Sequence, residues 1–103
     1  MCSRNDLRCA VVDLGELQRV MASTYGARDA ARGRSATVAW LAEEMGELAQ
    51  AVRKGGADEQ LAELGDVLAW VASLANQLGL DLNDAVARYA HGCPKCGGNP
   101  CDC

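Results

Sequence analysis

Residues 38–78 read VAWLAEEMGELAQAVRKGGADEQLAELGDVLAWVASLANQL, and the periodicity of this stretch decides the fold. Val38, Leu41, Met45, Leu48 and Val52 recur at the three- and four-residue spacing of one helix face. Ser35 or Thr37 can cap that helix, and Gly55-Gly56 ends it. A second stripe, Leu61, Leu64, Leu68, Val71, Ala75 and Leu78, follows a plausible cap at Asp58 and stops at Gly79. The connector over residues 53–58 is short, so the two helices are predicted to form an antiparallel hairpin.

Working outward, Leu7, Val11, Leu14, Leu17 or Gln18, and Met21 predict an earlier helix over roughly residues 5–24. Residues 25–34 hold two glycines and three arginines and read as a connector, although their alanines would allow a helical turn; the stretch is either a solvated basic loop or one whose arginines reach a phosphate. Asp81 starts a short last helix to about Ala90, and His91-Gly92 ends it. Phe is absent and Ala is abundant, which favours closely packed helices over a bulky sheet core. The fold class is all-α: the hairpin plus flanking helices, assembling into an oligomeric helical bundle. A domain over residues 1–91 precedes a Cys-rich tail over residues 92–103. At 103 residues the core is small, so a homodimer or homotetramer is expected.

The hairpin carries two acidic clusters, Glu43-Glu44 with Glu47, then Glu63 with Asp66. Residues three apart share a helix face, so Glu44 pairs with Glu47 and Glu63 with Asp66. Antiparallel packing then sets Glu47 near Glu63 and Glu44 near Asp66. At roughly 100° per residue, Glu43 falls on the far side of its helix. The nearest basic residues, Arg53 and Lys54, are too few to neutralise these carboxylates, and acidic groups crowded together repel one another unless a cation binds. An all-oxygen donor set suits Mg²⁺ or Mn²⁺. The sole histidine, His91, lies outside both helices, which disfavours di-iron chemistry.

These clusters resemble the signature of the MazG-like members of the all-α nucleoside triphosphate pyrophosphohydrolases, Glu-Glu-x-x-Glu followed by Glu-x-x-Asp. The likeness runs from about Val38 through the Leu78-Gly79-Leu80-Asp81 turn. In one subgroup it continues into a Gly-Cys-Pro-x-Cys-Gly ending like that at residues 92–97. The first helix matches only in position and length. The resemblance implies Mg²⁺-dependent hydrolysis of a nucleoside triphosphate between its α and β phosphates, giving a monophosphate and pyrophosphate. It implies a metal held by Glu44, Glu47, Glu63 and Asp66. On this resemblance the attacking water would be deprotonated by an adjacent ion or by one of those carboxylates, with Glu43 the second candidate. Trp40 and Trp70 lie one turn outside the carboxylates and at one level, where a nucleobase could stack; burial in a dimer core is the other reading. Asn76 is either a substrate contact or a polar bridge between helices, and Lys54, Arg88 and the arginines of residues 25–34 are available phosphate contacts.

Cys93, Cys96, Cys101 and Cys103 gather four thiols among turn-forming Pro94, Gly97, Gly98 and Pro100, the pattern of a small structural zinc site, with His91 able to replace one thiol; unligated or disulfide-bonded cysteines are the other reading. Cys2 and Cys9 lack such spacing and read as free thiols. With no secretory leader read at the start, a cytoplasmic setting is expected, and in that reducing setting six cysteines read as metal ligands or free thiols rather than disulfides. The net charge of −4 and the scattered basic residues exclude large nucleic acid as a partner, and no segment is apolar enough to cross a membrane. The alternative to an enzyme is a helical metal-binding module that docks a protein partner through its tail.

Overall fold

A computed structural model describes residues 13–103, which form α1 (Leu14–Arg32), α2 (Arg34–Lys54), α3 (Ala57–Leu78) and α4 (Leu82–Val86). A 3₁₀ turn, Ala87–Tyr89, and the Cys-rich tail follow. No strand occurs among the described residues, so the all-α expectation holds. The hairpin expectation holds too, with α2 and α3 packed together and α1 laid mainly against α3. The start of the predicted first helix, with Leu7 and Val11, and the thiols of Cys2 and Cys9 lie outside the described residues.

The predicted connector over residues 25–34 is the main correction. α1 starts on Asp13, whose carboxylate accepts the Glu16 N–H at 2.7 Å, and continues to Arg32. Ala27, Ala30 and Ala31 are strong helix formers, and one interior glycine, Gly26, costs only about 1 kcal/mol relative to alanine. The break comes at Gly33, where φ is +86°, a conformation closed to most side chains. Because Gly33 itself caps α2, neither Ser35 nor Thr37 does. Thr37 is instead fully buried, with Oγ1 donating to the Gly33 carbonyl at 3.1 Å. Asp58 likewise lies in the first turn of α3, behind the cap at Gly56.

The other ends follow the sequence. Gly79, with φ +68°, closes α3 by donating to the Asn76 carbonyl at 3.1 Å, while Leu80 N–H reaches the Ala75 carbonyl at 2.9 Å. Asp81 caps α4 by accepting from Asn83 N–H at 2.7 Å.

The packing departs from the predicted stripes. The buried positions of the hairpin are small: Thr37 and Ala51 on α2, Ala72, Ser73 and Ala75 on α3. Thr37, Glu44 and Ala51 are spaced by seven residues, and at roughly 100° per residue their face lies about 100° around α2 from the Val38–Met45–Val52 face. Small side chains allow the two helices to pack closely: Ala75 of the predicted α3 stripe is buried and Leu41, Leu48 and Val71 are half-buried, while the other bulky stripe positions turn outward. Val38, Met45, Val52, Leu61, Leu64 and Leu68 are all exposed. A buried polar clasp ties α1 to the far end of the hairpin. Gln18 donates to the Leu80 carbonyl at 2.8 Å and to Asn76 Oδ1 at 3.1 Å, accepts from Leu82 N–H at 2.8 Å, and its own carbonyl accepts from Asn76 Nδ2 at 2.9 Å.

Candidate metal centre and the adjoining cavity

Glu44 on α2 meets Glu63 and Asp66 on α3, with one carboxylate oxygen from each within 4.8 Å of the others. This meeting is a direct consequence of the antiparallel register. Glu44 Oε2 and Glu63 Oε2 are buried and have no hydrogen-bond partner. An orphaned buried carboxylate oxygen is costly unless a proton or a cation satisfies it. Burial pushes the Glu44 carboxyl above its usual range, and the charges of Glu47, Asp66 and Glu63 raise it further. Glu63 is raised in the same way, first by burial and then by Glu47 and Asp66. Glu47 is therefore close enough to act on both, although its oxygens stand outside the tight trio. The donor set is all oxygen and acidic, and it fits a hard divalent ion. Glu43 is exposed and outside that trio.

Trp40 and Trp70 are brought together as the register requires, with ring centroids 5.9 Å apart and planes within 10° of parallel. They stack on each other, so no slot for a base opens between them. The Arg32 guanidinium lies 4.9 Å from the Trp70 ring centroid. Arg32 is also paired with the Asp29 carboxylate, which is only 4% exposed. Asp29 in turn is fixed by α1, whose C-terminal turn accepts Gln77 Nε2 on its backbone at 2.7 Å.

Between α1 and α3 a cavity of about 240 Å³ opens beside the carboxylates, walled by Met21, Tyr25, Arg28 and Arg32 on one side and by Asp66 and Trp70 on the other. The connector reading hid Tyr25 and the helical placement of Arg32, an arginine the sequence had already offered as a phosphate contact. Their signal was present: residues 25, 28, 29 and 32 follow the i, i+3, i+4, i+7 spacing of one helix face. Lys54 lies elsewhere, in a separate hollow with Glu47, Glu59 and Glu63. Asn76 spends both ends of its amide on Gln18, the polar-bridge alternative. Arg88 rests over the Tyr89 ring beyond α4.

In the tail, the four thiol sulfurs of Cys93, Cys96, Cys101 and Cys103 lie within 4.8 Å of one another. Cys93 and Cys103 are 3.7 Å apart and Cys96 and Cys101 3.8 Å. A tetrahedron with metal–sulfur bonds of roughly 2.3 Å has edges of roughly 3.8 Å, so the spacing fits such a metal. Backbone N–H groups of Gly98 and Asp102 point at Cys96 Sγ from 3.3 and 3.4 Å. These donors stabilise a thiolate and lower the Cys96 pKa to about 6. His91 is not among the ligand-forming group and instead borders the neighbouring hollow.

Fold and site together define a class: an all-α protein whose helical hairpin brings carboxylates from both of its helices within 4.8 Å of one another. The MazG nucleotide pyrophosphohydrolase domain matches residues 32–95, from the end of α1 into the cysteine tail, and the chain belongs to that family. No curated protein matches it. The family is one of nucleotide pyrophosphohydrolases.

Proposed function

We propose that this chain is a Mg²⁺-dependent nucleoside triphosphate pyrophosphohydrolase, cleaving between the α and β phosphates. The observation that carries the reading is the convergence of Glu44, Glu63 and Asp66 within 4.8 Å, two of them with buried, unpartnered oxygens. Glu44, Glu47, Glu63 and Asp66 hold the ion. Mg²⁺, or Mn²⁺ in its place, supplies charge neutralisation and orientation of the phosphate oxygens when bound.

The chain's own groups do the rest. Glu47, close to Glu44 and Glu63 but outside the tight trio, is the carboxylate best placed to accept the proton of the attacking water. The water oxygen bonds to the α-phosphorus, the bond from that phosphorus to the bridging oxygen breaks, and pyrophosphate leaves with the electron pair. Glu43 takes no direct part. Trp70 and Trp40 bound the nucleoside end from outside their mutual stack, and Lys54 lies at the opposite end of the carboxylates. Asn76 acts on substrate only through the clasp it forms with Gln18.

Two further parts complete the reading. The Cys tail holds a structural Zn²⁺, and the reducing cytoplasm keeps its thiols available. The exposed stripes of α2 and α3 pack against a second copy of the chain, forming a homodimeric bundle. Pyrophosphate release from a panel of triphosphates, with Mg²⁺ and with chelator, tests the activity. A non-catalytic interaction module, which the exposed cysteine tail would serve, releases none.

A further inference from the structure

We infer that the cavity between α1 and α3 holds the nucleobase, and that Arg28 and Arg32 select bases presenting a carbonyl oxygen, 6-oxopurines and 4-oxopyrimidines, over their amino counterparts. This rests on the hydrolase reading for its substrate and deepens it. The cavity shares Asp66 with the metal centre, so a ligand inside it is contiguous with whatever the carboxylates hold. At about 240 Å³ it lies below the roughly 300–1,000 Å³ of pockets that enclose whole drug-sized ligands. It takes one ring system, not an entire nucleotide.

The walls suit a base better than a polyphosphate. Tyr25 and Trp70 contribute aromatic surface and Met21 a polarizable thioether. The charge of Arg32 is matched by the buried Asp29 carboxylate, and its guanidinium lies over Trp70. That anchoring converts Arg32 from a free cation into a fixed fork of N–H donors. Arg28, one helical turn earlier on the same face, adds a second fork. The one carboxylate on that wall, Asp29, is already engaged by Arg32. Guanidinium donors pair with guanine O6 and N7, or with the O4 of uracil and thymine. They meet an exocyclic amino group donor-to-donor in adenine and cytosine.

The test compares GTP with ATP and UTP with CTP, by kcat/KM for pyrophosphate release. In parallel, quenching of Trp40 and Trp70 fluorescence by the α,β-methylene analogues reports binding without turnover. The oxo member of each pair is expected to lead by roughly 10-fold or more in both measurements. Arg32→Ala and Arg28→Ala should each pull the ratio toward one by weakening the oxo member more than the amino member. Among the described residues no carboxylate anchors Arg28, so its variant keeps the test open if Arg32→Ala folds poorly. Equal or reversed preference in the wild type overturns the inference alone, provided pyrophosphate is released. So does an equal loss for all four nucleotides in both variants, which would put the arginines on the phosphates. Binding with oxo preference but no turnover would uphold the cavity assignment and overturn the hydrolase reading.

Discussion

Replacing Leu64 and Leu68 together by glutamate is expected to convert a dimer into a monomer without unfolding α3. Val38 is 50% exposed, Met45 49%, Leu64 48% and Leu68 49%. Full burial of such a side chain stabilises by roughly 1.5–3 kcal/mol, so about half of that, roughly 0.75–1.5 kcal/mol, remains at each position. Eight such side chains, four from each protomer, would contribute roughly 6–12 kcal/mol if a second copy covered them. A micromolar dimer needs a net of roughly 8 kcal/mol, and association carries its own entropic cost. The apolar contribution therefore lies near the threshold, with Val52 and Leu61 adding to it. Losing half of it while burying charge removes the dimer. Sedimentation equilibrium should give the wild type twice the 10.8 kDa chain mass and the double variant a single chain mass, with unchanged helical circular dichroism. Tyr89→Glu, on an exposed residue beyond α4, serves as the control and should leave the dimer intact. A monomeric wild type at tens of micromolar, or a dimeric double variant, would refute the reasoning.

Glu44→Gln, Glu47→Gln, Glu63→Gln and Asp66→Asn should each nearly abolish pyrophosphate release while leaving the metal-free protein at least as stable; full activity in two of them would sink the carboxylate assignment. The Glu44 and Glu63 carboxyls are raised above 4.5, so the folded chain binds these protons more tightly than the unfolded chain. Thermal melts of metal-free protein should accordingly show this stabilisation in acid, lost as pH rises from 4.5 through the raised values, with Mg²⁺ restoring it above that window. In the tail, elemental analysis should find about one zinc per chain. After chelation the thiolate fraction of Cys96 grows as pH rises through about 6, so alkylation mapped by mass spectrometry should reach Cys96 before Cys103, whose thiol is pushed up. Gln18→Ala removes one side chain that bonds Asn76, Leu80 and Leu82, and chemical denaturation should register a loss of about 2–4 kcal/mol.

The sequence by itself determined what depends on spacing along one helix. Three-residue intervals put Glu44 with Glu47 and Glu63 with Asp66, the Gly55-Gly56 break made the hairpin antiparallel, and that register alone predicts the meeting of Glu44 with Asp66 and of Trp40 with Trp70. The cysteine intervals likewise announced a four-thiol cluster. What the tertiary structure decided is which of two usable faces packs inward. Periodicity marks the leucine stripes as apolar but does not say whether they meet their own chain or another surface. The close approach permitted by Thr37, Ala51, Ala72, Ser73 and Ala75 wins within the chain, and Val38, Met45, Val52, Leu61, Leu64 and Leu68 turn out. The same contest extended α1 through residues 25–32. There a single glycine weighs less than packing against α3, and that packing carries Tyr25, Arg28 and Arg32 to the edge of the carboxylate cluster.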